Sequence, residues 1–201
     1  ELVSADMAGW ISGPIAERAP QAERCVDPFH VVMLATDALD EVRREVWNEA
    51  RRQGNLTLAR DLKGARFAVW KNPENLIDRQ RSKLAMIQKT NAKLYRAYLL
   101  KEQLRQIYRV GSGDAEALMD SWLAWARRSR LPSFVKLART ITDQRTGILA
   151  AIQHGLSNAR IEQINTQIRL IARRAFGFHS PAPLIALAML KLADLCPPLP
   201  R

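Results

Sequence analysis

The sequence predicts a mainly α chain that opens on a small parallel β element, and three observations carry that expectation. Two short strand-like runs, ELVSA before Asp6 and ERCV before Asp27, flank a short helical segment within the first 27 residues. From Pro28 onward, apolar residues recur at helical spacing over most of the chain. Two further capped helical stretches follow that block, one opened by Ser157 and one by Ser180 and Pro181. If the Ser157-capped helix packs on the sheet, the helical block is an insertion into an α/β domain.

The elements follow in order. GWISGPIAERAP reads as a short helix stopped by Pro20, so the opening is a strand–helix–strand unit suited to a crossover between parallel strands. Asp27 suits the cap and Pro28 the first turn of a helix running to about Gln53. Its apolar stripe is Val31, Leu34, Ala35, Ala38, Leu39, Val42 and Val46, and Gly54 with Asn55 ends it. Residues 55–76 read as loop, with an apolar patch from Phe67 to Trp70 that fits either a short helix or an extended piece. One long helix is expected from Asp78 to Val110, broken by GSGD, with Asp114 capping the next as far as Ser129. Pro132 opens another to about His154, Ser157 caps a helix closed by Gly177, and a last one reaches Leu192 before CPPLP. No fixed-period repeat is present, which argues against a solenoid.

The chain has 201 residues, 47% of them apolar, enough for one ordinary domain with a sizeable core. No apolar run approaches the roughly 18–20 residues of a membrane span, so no membrane partner is expected. ELVSADMAGW has neither a basic leader nor an initiating Met, and reads as the start of a piece of a longer protein. Thirty-one Lys and Arg against 20 Asp and Glu give a net charge of +11, which favours a polyanionic partner, most often nucleic acid. Cys25 and Cys196 are too few for a disulfide framework and read as reduced structural thiols of a cytoplasmic protein.

Few residues carry chemistry. Asp6, at the end of an apolar strand, would sit at the sheet rim where open α/β folds place their sites; a turn or cap is the plain alternative. Asp27 and His30, in DPFH, are spaced to hydrogen-bond or to hold a cation together, although zinc needs three or four ligands. Glu162 lies early in its helix, where the positive end of the dipole keeps a carboxylate ionised, as a metal ligand requires and as an ordinary surface Glu also enjoys. Asn165 and Arg169 follow it on one face, beside Arg173 and Arg174. A second basic group lies on the Asp78–Val110 stretch and includes Lys89, Lys93, Arg96, Lys101, Arg105 and Arg109. Both groups are candidate phosphate contacts or solvated faces. Trp122 and Trp125 read as core. No Walker loop, dinucleotide fingerprint, nucleophile elbow or Cys cluster is present.

Taken together, VSADM, DPFHVV, ALDEVRRE, LKGARFAVWKNPENL, AYLLKEQLRQIY, SRLPSFVKLARTI and LSNARIEQINTQIRLIARRAFGF resemble the DDE transposases of the ISL3 family of bacterial insertion sequences, over nearly the whole chain. The resemblance implies the carboxy-terminal part of an RNase H-like α/β domain, with two parallel strands and a large all-helical insertion. The expected division is 1–31 for the partial core, 32–154 for the insertion, and 155–201 for the catalytic-helix segment with a last core helix. Asp6 matches the second and Glu162 the third of the family's three metal-binding carboxylates. Asp27 and His30 match a D-x-x-H signature in a supporting role, with Asn165 beside Glu162. The first carboxylate would precede residue 1. The implied cofactor is a pair of Mg2+ (or Mn2+) ions, expected only in the full-length protein. The implied partners are double-stranded DNA, contacted by Arg169, Arg173, Arg174, Lys89, Lys93 and Arg96, and further copies of the chain. The rival expectation is a non-catalytic helical DNA-binding or assembly module.

Overall fold

The computed structural model describes residues 1–192, apart from the side chains of residues 159–162; Cys196 and the CPPLP tail lie outside the described residues. Its elements are β1 (Leu2–Ala5), α1 (Gly9–Arg18), β2 (Glu23–Val26), α2 (Pro28–Arg52), α3 (Leu56–Lys63), α4 (Arg66–Trp70), a single 3-10 turn (Pro73–Asn75), α5 (Asp78–Thr90), α6 (Ala92–Ile107), α7 (Ser112–Arg128), α8 (Pro132–Asp143), α9 (Arg145–His154), α10 (Ala159–Arg174) and α11 (Pro181–Leu192). The chain is mainly α with one two-stranded parallel sheet, as the sequence predicts for part of an RNase H-like domain with a helical insertion. It divides into two compact units, Glu1–Leu156 and Ser157–Arg201.

In the first unit, β1 and β2 pair in parallel with Leu2 opposite Glu23 and Ala5 opposite Val26. The crossover between them is α1. One face of β2 is closed by α9, whose Ala150 and Ala151 pack with the buried Cys25. Burial raises the Cys25 thiol pKa, and the nearby Glu23 adds to it, which suits the inert thiol the sequence suggests. The helix and strand approach so closely because Gly147 stands at the contact. A Cβ there would lie 2.8 Å from Val26 Cγ2 and 3.1 Å from the Arg24 carbonyl.

The organising element of the helical part of this unit is α2. Its buried residues, Val31, Ala35, Ala38, Leu39, Val42, Val46 and Ala50, repeat at three and four, so one stripe faces inward along all 25 residues. Against it pack α6, α8 and α3. Trp122 is fully buried, and its indole N–H donates to the Leu100 carbonyl at 2.8 Å; Trp125 lines the same core.

Several boundaries differ from the sequence expectation. The single helix expected over Asp78–Val110 is two, because Asn91 breaks it and caps α6 through a hydrogen bond from the Leu94 amide at 2.8 Å. The stretch from Pro132 to His154 is also two helices, hinged at Gln144. Residues 55–76 are not loop but α3, α4 and a 3-10 turn, held by the buried Ala59, Leu62, Ala65, Ala68 and Val69. The helix after GSG starts at Ser112 with Gly111 at the cap, so Asp114 falls in its first turn. Asn158, not Ser157, is the N-cap of α10.

Two members of the expected basic helix face, Lys101 and Arg105, are buried. Lys101 is 1% exposed, and its ammonium donates to the carbonyls of Val69 at 3.0 Å and Trp70 at 3.2 Å, at the end of α4. Burial lowers its pKa, against the raising effect of Glu102 at 2.5 Å. Arg105 joins Glu102 and Glu74, and Arg109 also reaches Glu74. The Glu74 carboxyl is held down to about 2, first by its own backbone hydrogen bond and then by Arg109 and Arg105.

In the second unit, α10 and α11 pack on each other. Ile164, Ile168 and Ile171 form a half-buried stripe on α10, while Asn165, Arg169, Arg173 and Arg174 are exposed.

Candidate metal centre

Strand register builds the site. Asp6 follows Ala5, Asp27 follows Val26, and Ala5 pairs with Val26. The two aspartates are therefore the next rung of the same ladder, at the carboxyl ends of adjacent parallel strands about 4.8 Å apart. The Asp27 amide continues the pairing, donating to the Ala5 carbonyl at 3.2 Å. With a side-chain period of two and matched register, both carboxylates leave the sheet on the same side. The Asp6 carbonyl is held by the Arg24 guanidinium at 2.9 Å.

The third member comes from the helix that Asp27 begins. Asp27 occupies the N-cap position of α2 with Pro28 after it, so His30 falls in the first turn and faces back. Its Nδ1 lies 2.7 Å from Asp27 Oδ2, in a hydrogen bond, and 2.7 Å from Asp6 Oδ1. One ligand atom from each of the three residues lies within 4.8 Å of the other two. Asp27 is fully buried, whereas the side chains of His30 and Asp6 are 24% and 39% exposed, so the cluster opens to solvent on the Asp6 side.

The electrostatics follow. Two carboxylates on one rung repel, and the arrangement favours a positive charge between them. His30 Nδ1 faces both carboxylates, but a single Nδ1 proton cannot point in line at both oxygens. Asp6 Oδ1 is buried and accepts no hydrogen bond. It turns into the cluster with only His30 Nδ1 close to it, at 2.7 Å and outside hydrogen-bond geometry, and a hard cation satisfies such an oxygen. Carboxylate oxygens suit Mg2+ or Mn2+, so the Asp6 carboxylate fits as a ligand to those ions, with Asp27 beside it in a supporting place.

The structure thus brings together Asp6, Asp27 and His30. Glu162 belongs to the second unit, in the first turn of α10, and its side chain lies outside the described residues. Asn165, one turn on, is exposed. Among the proposed DNA contacts, Arg169, Arg173, Arg174 and Lys89 are exposed, and none of them has an ion pair among the described residues. Lys93 instead pairs with Glu45 at 2.7 Å, and Arg96 donates to the Ser129 carbonyl at 2.8 Å. Sequence reasoning missed the Arg24 contact with Asp6, for which spacing gives no signal. It also missed Gly147, whose position in the first turn of a helix was the available hint. No helix among the described residues is long and apolar enough to cross a membrane.

Comparison with known proteins agrees with the sequence resemblance. The chain is 51% identical over 217 aligned positions to the transposase for insertion sequence element IS1557 of Mycobacterium tuberculosis (strain H37Rv), covering 98% of this chain and 49% of the relative. It is 29% identical over 181 positions to the transposase for insertion sequence element IS1001 of Bordetella parapertussis, covering 89% of this chain and 44% of the relative. The chain therefore spans about half the length of the curated relatives it matches. No solved structure matches it. Residues 1–188 match the family of ISL3-type DDE transposases, and the chain belongs to that family.

Proposed function

We propose that this chain supplies part of the catalytic machinery for metal-dependent DNA end cleavage and strand transfer at an insertion sequence. The carrying observation is the Asp6–Asp27–His30 cluster, two carboxylates on one strand rung with an imidazole between them. Asp6 and, from α10, Glu162 are the metal ligands in this reading, and a further carboxylate comes from residues before Glu1. Divalent Mg2+ or Mn2+ supplies charge neutralisation for the attacking and leaving oxygens of an in-line phosphodiester displacement. Asp27 and His30 are positioning residues. The buried Asp27 fixes the ring of His30, and His30 fixes the Asp6 carboxylate. The division into a partial core over 1–31, an insertion over 32–154 and a catalytic-helix segment over 155–201 belongs to the same proposal, as does action in the bacterial cytoplasm.

The test uses the chain alone and the chain extended to the length of its relatives. With Mg2+, the extended protein nicks a duplex carrying the insertion end, and Asp6→Asn or Glu162→Gln drops nicking to background. The 201-residue chain alone does not nick. Replacing His30 with Ala weakens Mn2+ binding by about 10–100-fold, the range typical of groups that orient ligands. Nicking that survives Asp6→Asn overturns the catalytic reading and leaves a non-catalytic DNA-binding module.

Double-stranded DNA is the expected partner, with Arg169, Arg173, Arg174 and Lys89 as the contacts that have no ion pair among the described residues. A two-stranded sheet also leaves β1 with an open edge, which invites pairing with another segment. We expect the 201-residue chain to self-associate. Sedimentation should show mass rising with concentration; a monomer at all concentrations with slowly exchanging β1 amides argues against it.

A further inference from the structure

Away from the carboxylate cluster, α3 and α5 enclose a concavity of about 470 Å3, lined by Arg60, Lys63, Phe67, Ile77, Arg79 and Lys83 among others. That volume falls within the roughly 300–1,000 Å3 typical of ligand sites. Arg60, Lys63 and Arg79 are exposed, and none has an ion pair among the described residues. By contrast, Lys93, Lys101, Arg105 and Arg109 each pair with a carboxylate. Lys83 is also committed, donating to the Asp61 carbonyl at 2.6 Å and so tying α5 to α3. The nearest acids in sequence, Asp61 and Asp78, do not line the concavity.

Helix stability explains part of this charge. Arg60 and Lys63 stand in the last turn of α3, where cations complement the dipole. Arg79 does not fit that account. It lies in the first turn of α5, where a cation opposes the dipole, and it faces the same concavity. The positive end of α5 therefore adds to the field of three cations without an ion pair among the described residues, and together they favour an anion.

The apolar residues narrow the choice of anion. Phe67 is 56% exposed and Ile77 59% exposed, both inside the ring of cations. The Arg66 guanidinium stacks over Trp70 at 3.8 Å and reaches toward Phe67 at 5.9 Å. A duplex offers its phosphates and keeps its bases stacked inside, so it would leave Phe67 and Ile77 in water. An unpaired strand presents phosphates and open base faces together, the combination that charged grooves with aromatic platforms bind.

We propose that this concavity binds single-stranded nucleic acid, with Arg60, Lys63 and Arg79 on the phosphodiesters and Phe67 stacked on an unpaired base. In the transposase reading, on which the choice of DNA rests, this is where an opened strand is held.

The test measures fluorescence anisotropy of the 201-residue chain with a labelled oligonucleotide, single-stranded or duplex, in EDTA so that no metal contributes. Phe67→Ala should weaken single-strand binding by about 5- to 150-fold, the span reported by alanine substitution at stacking residues, and leave duplex binding unchanged. The double variant Arg60→Gln, Arg79→Gln should reduce the single-strand salt slope by about 1.4, from roughly 0.7 per phosphate contact. Equal losses for both oligonucleotides, or none for either, overturn the proposal. Because the assay is metal-free, loss of nicking in the Asp6→Asn protein leaves this outcome untouched, and a failed groove leaves the carboxylate site untouched.

Discussion

Gly147→Val is expected to lower the unfolding free energy by about 2–3 kcal/mol, and Gly147→Ala by about 1–2 kcal/mol, within the usual range for overpacking. Helix propensity alone predicts the opposite for Ala, a gain of about 1 kcal/mol over Gly. The steric argument prevails because neither neighbour can yield. Val26 is fully buried, and the Arg24 carbonyl belongs to the backbone of β2. A Cβ placed 2.8 Å from Val26 Cγ2 must push the strand or tilt α9. Displacing β2 also displaces Asp27, the residue after Val26, so Mn2+ affinity should fall together with stability. Urea unfolding of the two variants measures the first effect. An Ala variant as stable as the parent would show that α9 and β2 are not in tight contact.

Lys101→Met should cost about 3 kcal/mol, near the low end for breaking a buried ion pair. Methionine fills similar space but offers no donor. It orphans the Val69 and Trp70 carbonyls at the C-terminal end of α4 and removes the cation that complements that end. Glu102 keeps Arg105 at 2.8 Å, which holds the loss below that of an unpaired carboxylate. The pH dependence has a defined sign. The Lys101 pKa is lowered in the folded chain from 10.5, so above the folded value the unfolded chain binds more protons. The parent therefore gains stability relative to the variant as pH rises from the folded value toward 10.5. Denaturant midpoints that coincide at neutral pH would sink the expectation.

The same lysine shows what the sequence did and did not disclose. Leu94, Ala97, Tyr98, Leu104 and Ile107 are buried along α6, and Lys101 falls between them at a spacing of three. Its place on the inner face was legible from that pattern; its charge pulled the reading outward. The breaks at Asn91 and Gln144 were hidden for another reason. Neither position carries Gly or Pro, and Asn91 reveals itself as a cap only through its bond from Leu94. The short helices α3 and α4 lie below the length at which an isolated helix is stable and borrow stability from packing, which composition does not display. The strand–helix–strand opening was legible because Asp6 and the Asp27–Pro28 step end two apolar runs. The grouping of Asp6, Asp27 and His30 then follows from equal strand ends and one helical turn.

One helix separates the two proposed sites. At about 1.5 Å per residue, the 25 residues of α2 make a rod of roughly 37 Å. One tip carries His30, and the other leads through Gly54 and Asn55 into the helix that lines the basic concavity. A B-form duplex of that length covers about 11 base-pair steps at roughly 3.4 Å each. Oligonucleotides well under that length engage one tip or the other. Longer ones can bridge the two, so, with both sites as proposed, the length of α2 sets the shortest DNA that engages both at once.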